Sequence, residues 1–338
     1  MKKIFTVLAF AGILSAACTK EAGPATEPDV VPAQKYEVTV GLSNVDLQIT
    51  ESKASTTATE AEKKVDDAYI IVYASDGTLV DYRAWSGASV KFALEAGTYQ
   101  FYAAVNTGMQ NVPESLAAFK ALTGGLKDDL SGFTMLGYTE KVISVGNETF
   151  SITAKRLASK IVLENVKVNF SAVSLQDKKM TVNAVYLINV AGDLSFESNL
   201  AGTVYSPTLW YNQTKYVSGD CDSYLYAGSI GTQVAHGATA PIEKTFYAYP
   251  NGTASDAHGG TFGPRKTRLV IEATIEGETC YYPFTFEQLE SNKIYTITSI
   301  TVTRRGVDDP DEVWSSDEVS GNLTIDDWTN GGEYSEVL

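Results

Sequence analysis

Residues 36–54 read YEVTVGLSNVDLQITESKA. The first half alternates: Tyr36, Val38, Val40 and Leu42 are separated by Glu37, Thr39 and Gly41. Successive strand side chains face opposite ways, so the pattern predicts a strand with one buried face. Past Ser43 and Asn44 the apolar positions change parity to Val45, Leu47 and Ile49, which predicts a bulge or a break between two short strands. The stretch ends at a lone basic residue, Lys53, followed by Ala54 and then by STTAT, small and polar residues without a period. A buried strand tied to its domain by such a connection can be cut there and lost. The plainer reading of the same residues is a first strand and an ordinary loop.

Upstream, residues 1–17 have the layout of a secretion signal. Lys2 and Lys3 form the charged end, residues 4–14 the apolar run, and Ser15, Ala16 and Ala17 a small-residue cleavage site. The apolar run is too short to span a bilayer. Cys18 follows in the context LSAAC, which resembles a bacterial lipobox with its Leu displaced by one position. Cys18 is therefore the expected lipidation site, with acyl chains holding the protein to a membrane without a spanning segment. Lys20 and Glu21 resemble a surface-export signal, and residues 18–35 form a Pro-containing polar tether.

Composition narrows the function. The net charge of −15 disfavours nucleic acid and anionic membranes as partners. An apolar content of 44% over 338 residues is enough for two domain cores. Beyond Cys18 only Cys221 and Cys280 remain, which leaves one disulfide and two free buried thiols as alternatives. Nineteen Tyr, with many Thr and Val in short Gly-bounded runs, predict a mainly β protein.

The rest of the chain supplies strands in series. Residues 67–82 contain an apolar run and then Asp76-Gly77, a hairpin signal. Runs at 90–94 and 99–105 follow, and residues 113–122 (PESLAAFKAL) predict a helix with Pro113 in its first turn. Strands are expected around 141–145, 149–154 and 160–170. At 180–190 every even position is apolar: Met180, Val182, Ala184, Tyr186, Ile188 and Val190. Residues 199–237 are rich in Tyr and Gly and predict a surface excursion. Pro283 directs the strand at 280–286 towards a sheet edge. Residues 295–302 form a last core strand, and 306–312 an acidic linker. In VSGNLTIDDW, residues 319–328, Val319, Leu323 and Ile325 share one face, Gly321 fills the remaining slot, and Trp328 lies off that parity.

In this order the pieces resemble the fimbrillin family, the type V pilins of Bacteroides-type bacteria, as a stalk or major subunit. The resemblance rests on residues 64–77, on AVNTG and ESLAAFKALT within 94–123, and on AKRLASKIVLENVKV. FYAYPN, the pair Tyr281-Tyr282, NKIYTITSITVT and LTIDDW follow in the family's order. It implies two transthyretin-like Greek-key β-sandwiches, at residues 36–155 and 156–305, with residues 306–338 as linker and donor strand. It also implies an outer-membrane lipoprotein precursor whose N-terminal strand, residues 36–53, is removed by a trypsin-like protease at Lys53–Ala54. The vacated groove accepts the C-terminal strand of a neighbouring subunit, and repetition builds an extracellular homopolymer that supports adhesion. Tyr36, Val38, Val40 and Leu42 are then the removable strand; Val319, Leu323, Ile325 and Trp328 belong to the donor, and neither sandwich needs its own tail. Known stalk pilins have Arg at the cut, so Lys53 departs from the pattern, and Lys63 and Lys64 are alternatives.

Two rivals stand beside this reading. For an enzyme, His236 and His258 are the only histidines, without metal-ligand spacing, and no nucleophile elbow, zinc-protease helix or phosphate loop occurs. No catalytic residue, metal or cofactor is expected. The acidic groups Asp220/Asp222, 308–312 and Asp326/Asp327 read as solvated turns. The second rival is a surface glycan-binding lipoprotein, with tyrosines of 205–226 stacking on sugars.

Overall fold

The computed structural model describes residues 33–43, 62, 64–254, 256, 262–312, 319–328 and 336–337. Cys18, Lys53, Ala54, Lys63 and His258 lie outside the described residues, as do the signal and most of the tether. Lys35–Leu338 is one compact unit, and strands dominate it, as the sequence predicts.

The N-terminal part holds β1 (Lys35–Ser43), β2 (Ala68–Ala74), β3 (Leu79–Ala84), β4 (Val90–Glu95), β5 (Gly97–Val105), β6 (Met135–Ile143) and β7 (Glu148–Thr153). One sheet runs β4-β1-β7; the other runs β3-β2-β5-β6 and is extended by Lys155–Arg156. Their inner faces meet in one apolar cluster. Val38, Val40, Phe92, Leu94 and Ile152 come from the first sheet, and Ile70, Val72, Phe101, Ala103 and Ile143 from the second. The β2–β3 hairpin turns at Asp76-Gly77, where Gly77 takes φ +85°. The helix is shorter than expected: α1 spans Leu116–Lys120, because the Ser115 side chain accepts from the Ala118 N–H and caps it there. Pro113 precedes the cap.

The C-terminal part holds β8 (Ser159–Val168), β9 (Lys179–Ile188), β10 (Thr239–Ala248), β11 (Arg268–Ile275), β12 (Glu278–Thr285), β13 (Lys293–Val302) and β14 (Val319–Asp327). One sheet runs β10-β8-β13-β14 and ends on the short strand Glu336–Val337. The other runs β9-β11-β12, with Pro283 on the edge strand β12, as expected. The alternation along β9 does not persist on one face. Its register shifts between Val182 and Ala184. Met180 and Val182 face the main core, as do Val185 and Leu187 beyond the shift. Ala184, Tyr186 and Ile188 turn to a second apolar layer. The bulge serves two cores with one strand.

The excursion after β9 is partly regular, with α2 (Phe196–Ala201) and α3 (Asp222–Leu225). Tyr73, Tyr102 and Phe119 from the N-terminal part share a single buried cluster with Phe196, Tyr224, Tyr247 and Ile297 from the C-terminal part. Cys221 and Cys280 are free and buried.

Candidate functional site: the two terminal strands

The strand at the N-terminus occupies the middle of its sheet. β1 pairs antiparallel with β4, Val38 opposite Phe92 and Val40 opposite Val90. On its other side it pairs parallel with β7, Val38 opposite Glu148 and Leu42 opposite Ile152. Val38 and Val40 are fully buried, while Tyr36 and Leu42 pack half-buried against the same cluster. At the outer face Glu37 pairs with Lys91 at 2.8 Å, an exposed contact that adds little. Without β1, β4 and β7 have no common partner. They would bound a slot two strand spacings wide, roughly 9.6 Å, floored by Ile70, Val72 and Phe101 and edged by unpaired backbone groups.

The strand at the C-terminus sits differently. β14 pairs antiparallel with β13 along its whole length, from Val302 opposite Val319 to Lys293 opposite Asp327. Its other neighbour, Glu336–Val337, covers only Thr324 and Ile325. Leu323 and Ile325 face the main core but stay half-buried. At Gly321 an added Cβ would meet the Phe284 ring at 2.7 Å, so the ring seals the gap that the missing side chain leaves. The Val319 side chain lies outside the described residues. The tail therefore covers its own sheet, as a plain last strand does.

Trp328 carries the strand end into the junction between the two parts of the fold. It is 3% exposed, and its N–H donates to the Asn292 carbonyl at 2.8 Å. Its ring lies 5.3 Å from Phe133 and 5.9 Å from Tyr247, and the Arg156 guanidinium sits 4.7 Å from its centre. Arg156 is fully buried; burial pulls it down to about 10, opposed by the attraction of Glu62. Nη2 of Arg156 donates to the Glu62 carbonyl at 3.0 Å. The Glu62 carboxylate, 1% exposed, pairs with Lys160 at 2.9 Å and accepts from the Tyr247 hydroxyl.

Before β14 the linker is pinned. Asp311, expected in a solvated turn, is 1% exposed and accepts from Arg268 at 2.6 Å, Asn189 at 2.7 Å and Arg265. Sequence reasoning missed these two charge clusters. Glu62 meets Arg156 and Lys160, and Asp311 meets Arg265 and Arg268, across sequence separations that no local pattern encodes. The only available signal was an acidic residue beside a predicted strand end.

The tyrosines of the excursion do not form an open sugar platform. Tyr216 and Tyr226 stack on each other with centroids 4.0 Å apart and interplanar angle 14°, and Tyr186 packs beside both. The Tyr205 hydroxyl donates to Asp193. Among the described residues no group of three or more His, Cys, Asp or Glu could hold a metal ion, and no helix is long and apolar enough to cross a membrane.

Residues 37–182 match the family model described as Major fimbrial subunit protein (FimA). No curated protein matches the chain. Among solved structures, a candidate cell adhesion protein from Bacteroides eggerthii is similar at TM-score 0.60 and 19% identity, covering 88% of this chain and 97% of its own. A fimbrilin (FimA) from Porphyromonas gingivalis W83 gives TM-score 0.59 at 15% identity, covering 88% and 99%. The tip fimbrial protein Mfa3 from Porphyromonas gingivalis, solved with a C-terminal truncation, gives 0.51 at 13%, covering 87% and 100%. The fimbrillin resemblance read from the sequence is borne out, and so is the mainly β fold.

Proposed function

From a chain with the fimbrillin fold and the major-subunit signature over residues 37–182, we propose a structural fimbrial subunit, processed at Lys53–Ala54 and polymerised by strand exchange. Cys18 anchors the precursor to the outer membrane by its lipid, and a trypsin-like protease then removes residues 36–53. The tail of the next subunit fills the slot between β4 and β7, so the mature form is an extracellular homopolymer that supports adhesion. Residues 36–155 and 156–305 are the two sandwich units of the precursor, and in each link a neighbour's tail stands in for residues 36–53 of the first.

One observation carries this reading: the two terminal strands have unequal seats. Among the described residues, the tail has one full-length neighbour and one two-residue neighbour. The slot held by β1 offers a neighbour on each side, β4 along Lys35–Val40 and β7 along Val38–Ser43. A tail moving from the first seat to the second exchanges pairing concentrated on one edge for pairing on both, and buries its half-buried Leu323 and Ile325 more fully. Removing β1 by proteolysis makes the move one-way, because the cut strand can diffuse away.

The test is assembly of Leu323→Asp, which puts an unpaired carboxylate into an apolar seat. After protease treatment the wild type should form fibres in electron micrographs and a detergent-resistant ladder on gels, and the variant should not. Equal polymerisation by the variant would overturn the tail's role as donor.

A further inference from the structure

We propose that Trp328 is an autoinhibitory latch that holds the tail on its own chain, and that the buried Glu62 carboxylate keeps this latch shut. The inference rests on the tail being the donor strand, and it says what restrains that strand before assembly.

The latch is built from both parts of the fold. Phe133 precedes β6 and Tyr247 lies on β10, and the Trp328 ring packs against both. Arg156 lies as a cation over the same ring. Along β14 itself Leu323 and Ile325 are only half-buried, whereas Trp328 is 3% exposed. The best-anchored side chain described in the tail therefore lies at its tip. At the base, Asp311 stays pinned by Arg265, Arg268 and Asn189. A tail held at its base and released at its tip swings about a defined point.

The lock follows from charge. Arg156 and Lys160 are two cations at 0% and 4% exposure, and the Glu62 carboxylate is the anion set against them. Nε and Nη1 of Arg156 have no hydrogen-bond partner, so its seat depends on the Glu62 carbonyl, on that negative charge and on the Trp328 face. Removing the charge leaves two buried cations uncompensated, which drives the long Arg156 side chain towards water. The Trp328 ring then loses one wall. Glu62 follows Lys53 by nine residues, so processing at Lys53 places the lock close to a new chain end, where opening costs least.

The test is hydrogen exchange by mass spectrometry on the full, unprocessed chain, reading the amides of residues 319–328. Glu62→Gln and Trp328→Leu should each speed their exchange about tenfold or more, while β9 and β11 keep wild-type protection. The double variant should exchange no faster than Trp328→Leu alone, because both changes act through one contact. Where Trp328→Leu also loosens β9 and β11, Trp328→Phe supplies the milder comparison, with a smaller acceleration confined to the tail. Unchanged tail exchange in Glu62→Gln, or additive effects in the double variant, would overturn the latch. A tail that is freed in Glu62→Gln but never joins fibres after processing would support the latch while refuting strand exchange.

Discussion

A side chain at position 321 has nowhere to go while the tail is at home, since its Cβ would enter the Phe284 ring. Gly321→Val should cost about 1–3 kcal/mol of monomer stability by overpacking, read as a lower Tm. An unchanged Tm would show that Phe284 yields freely. Asp129 is a different kind of buried residue. Its carboxylate accepts the Thr134 N–H at 2.9 Å, and its carbonyl accepts the Tyr224 hydroxyl. Burial raises its pKa to about 7, opposed by the Thr134 hydrogen bond. An unfolded Asp loses its proton near pH ~4, so the folded state holds that proton over the window between. Stability from this group is complete below pH ~4, falls as the pH rises to 7, and changes no further above; the loss is on the order of 4 kcal/mol. Asp129→Asn should therefore gain stability relative to wild type between pH 5 and pH 8. A difference in denaturation midpoint that is flat with pH would count against it.

The terminal strands were the most legible elements. The parity of Tyr36, Val38, Val40 and Leu42 predicted the buried face of β1, and the bulge or break expected past Asn44 lies outside the described residues. Period-two patterning succeeds there because one face is wholly covered. It failed in β9, where the bulge at Asn183 moves the even positions to a second apolar layer that a continuous alternation conceals. It also could not show where β14 is seated, since a half-buried strand looks the same on either of two sheets. Under the proposed processing β1 belongs to the precursor alone, so its core residues should matter only there. Val40→Asp should lower precursor stability by about 3–5 kcal/mol through an unpaired buried charge, and leave the Tm of assembled, processed fibres unchanged. Equal losses in both forms would mean that β1 is retained.

At the scale of the whole molecule, the proposed cycle joins an anchored precursor to a polymer through one cut and one exchange. The mainly β architecture and the fimbrillin resemblance were readable from ordered motifs, because each strand carries its own pattern. The junction around Trp328, Arg156 and Glu62 was not readable, because it exists only once residues far apart in sequence are folded together. The anchor has its own check: Cys18→Ala should abolish palmitate labelling and membrane retention, and normal labelling would remove the lipoprotein step. The central claim is that β1 is lost before its slot is refilled. The N-terminus of subunits recovered from assembled fimbriae, read by mass spectrometry, tests it most directly. The account predicts chains that begin at Ala54 and lack residues 36–53 altogether, and fibres built from chains that still carry residues 35–43 would contradict it.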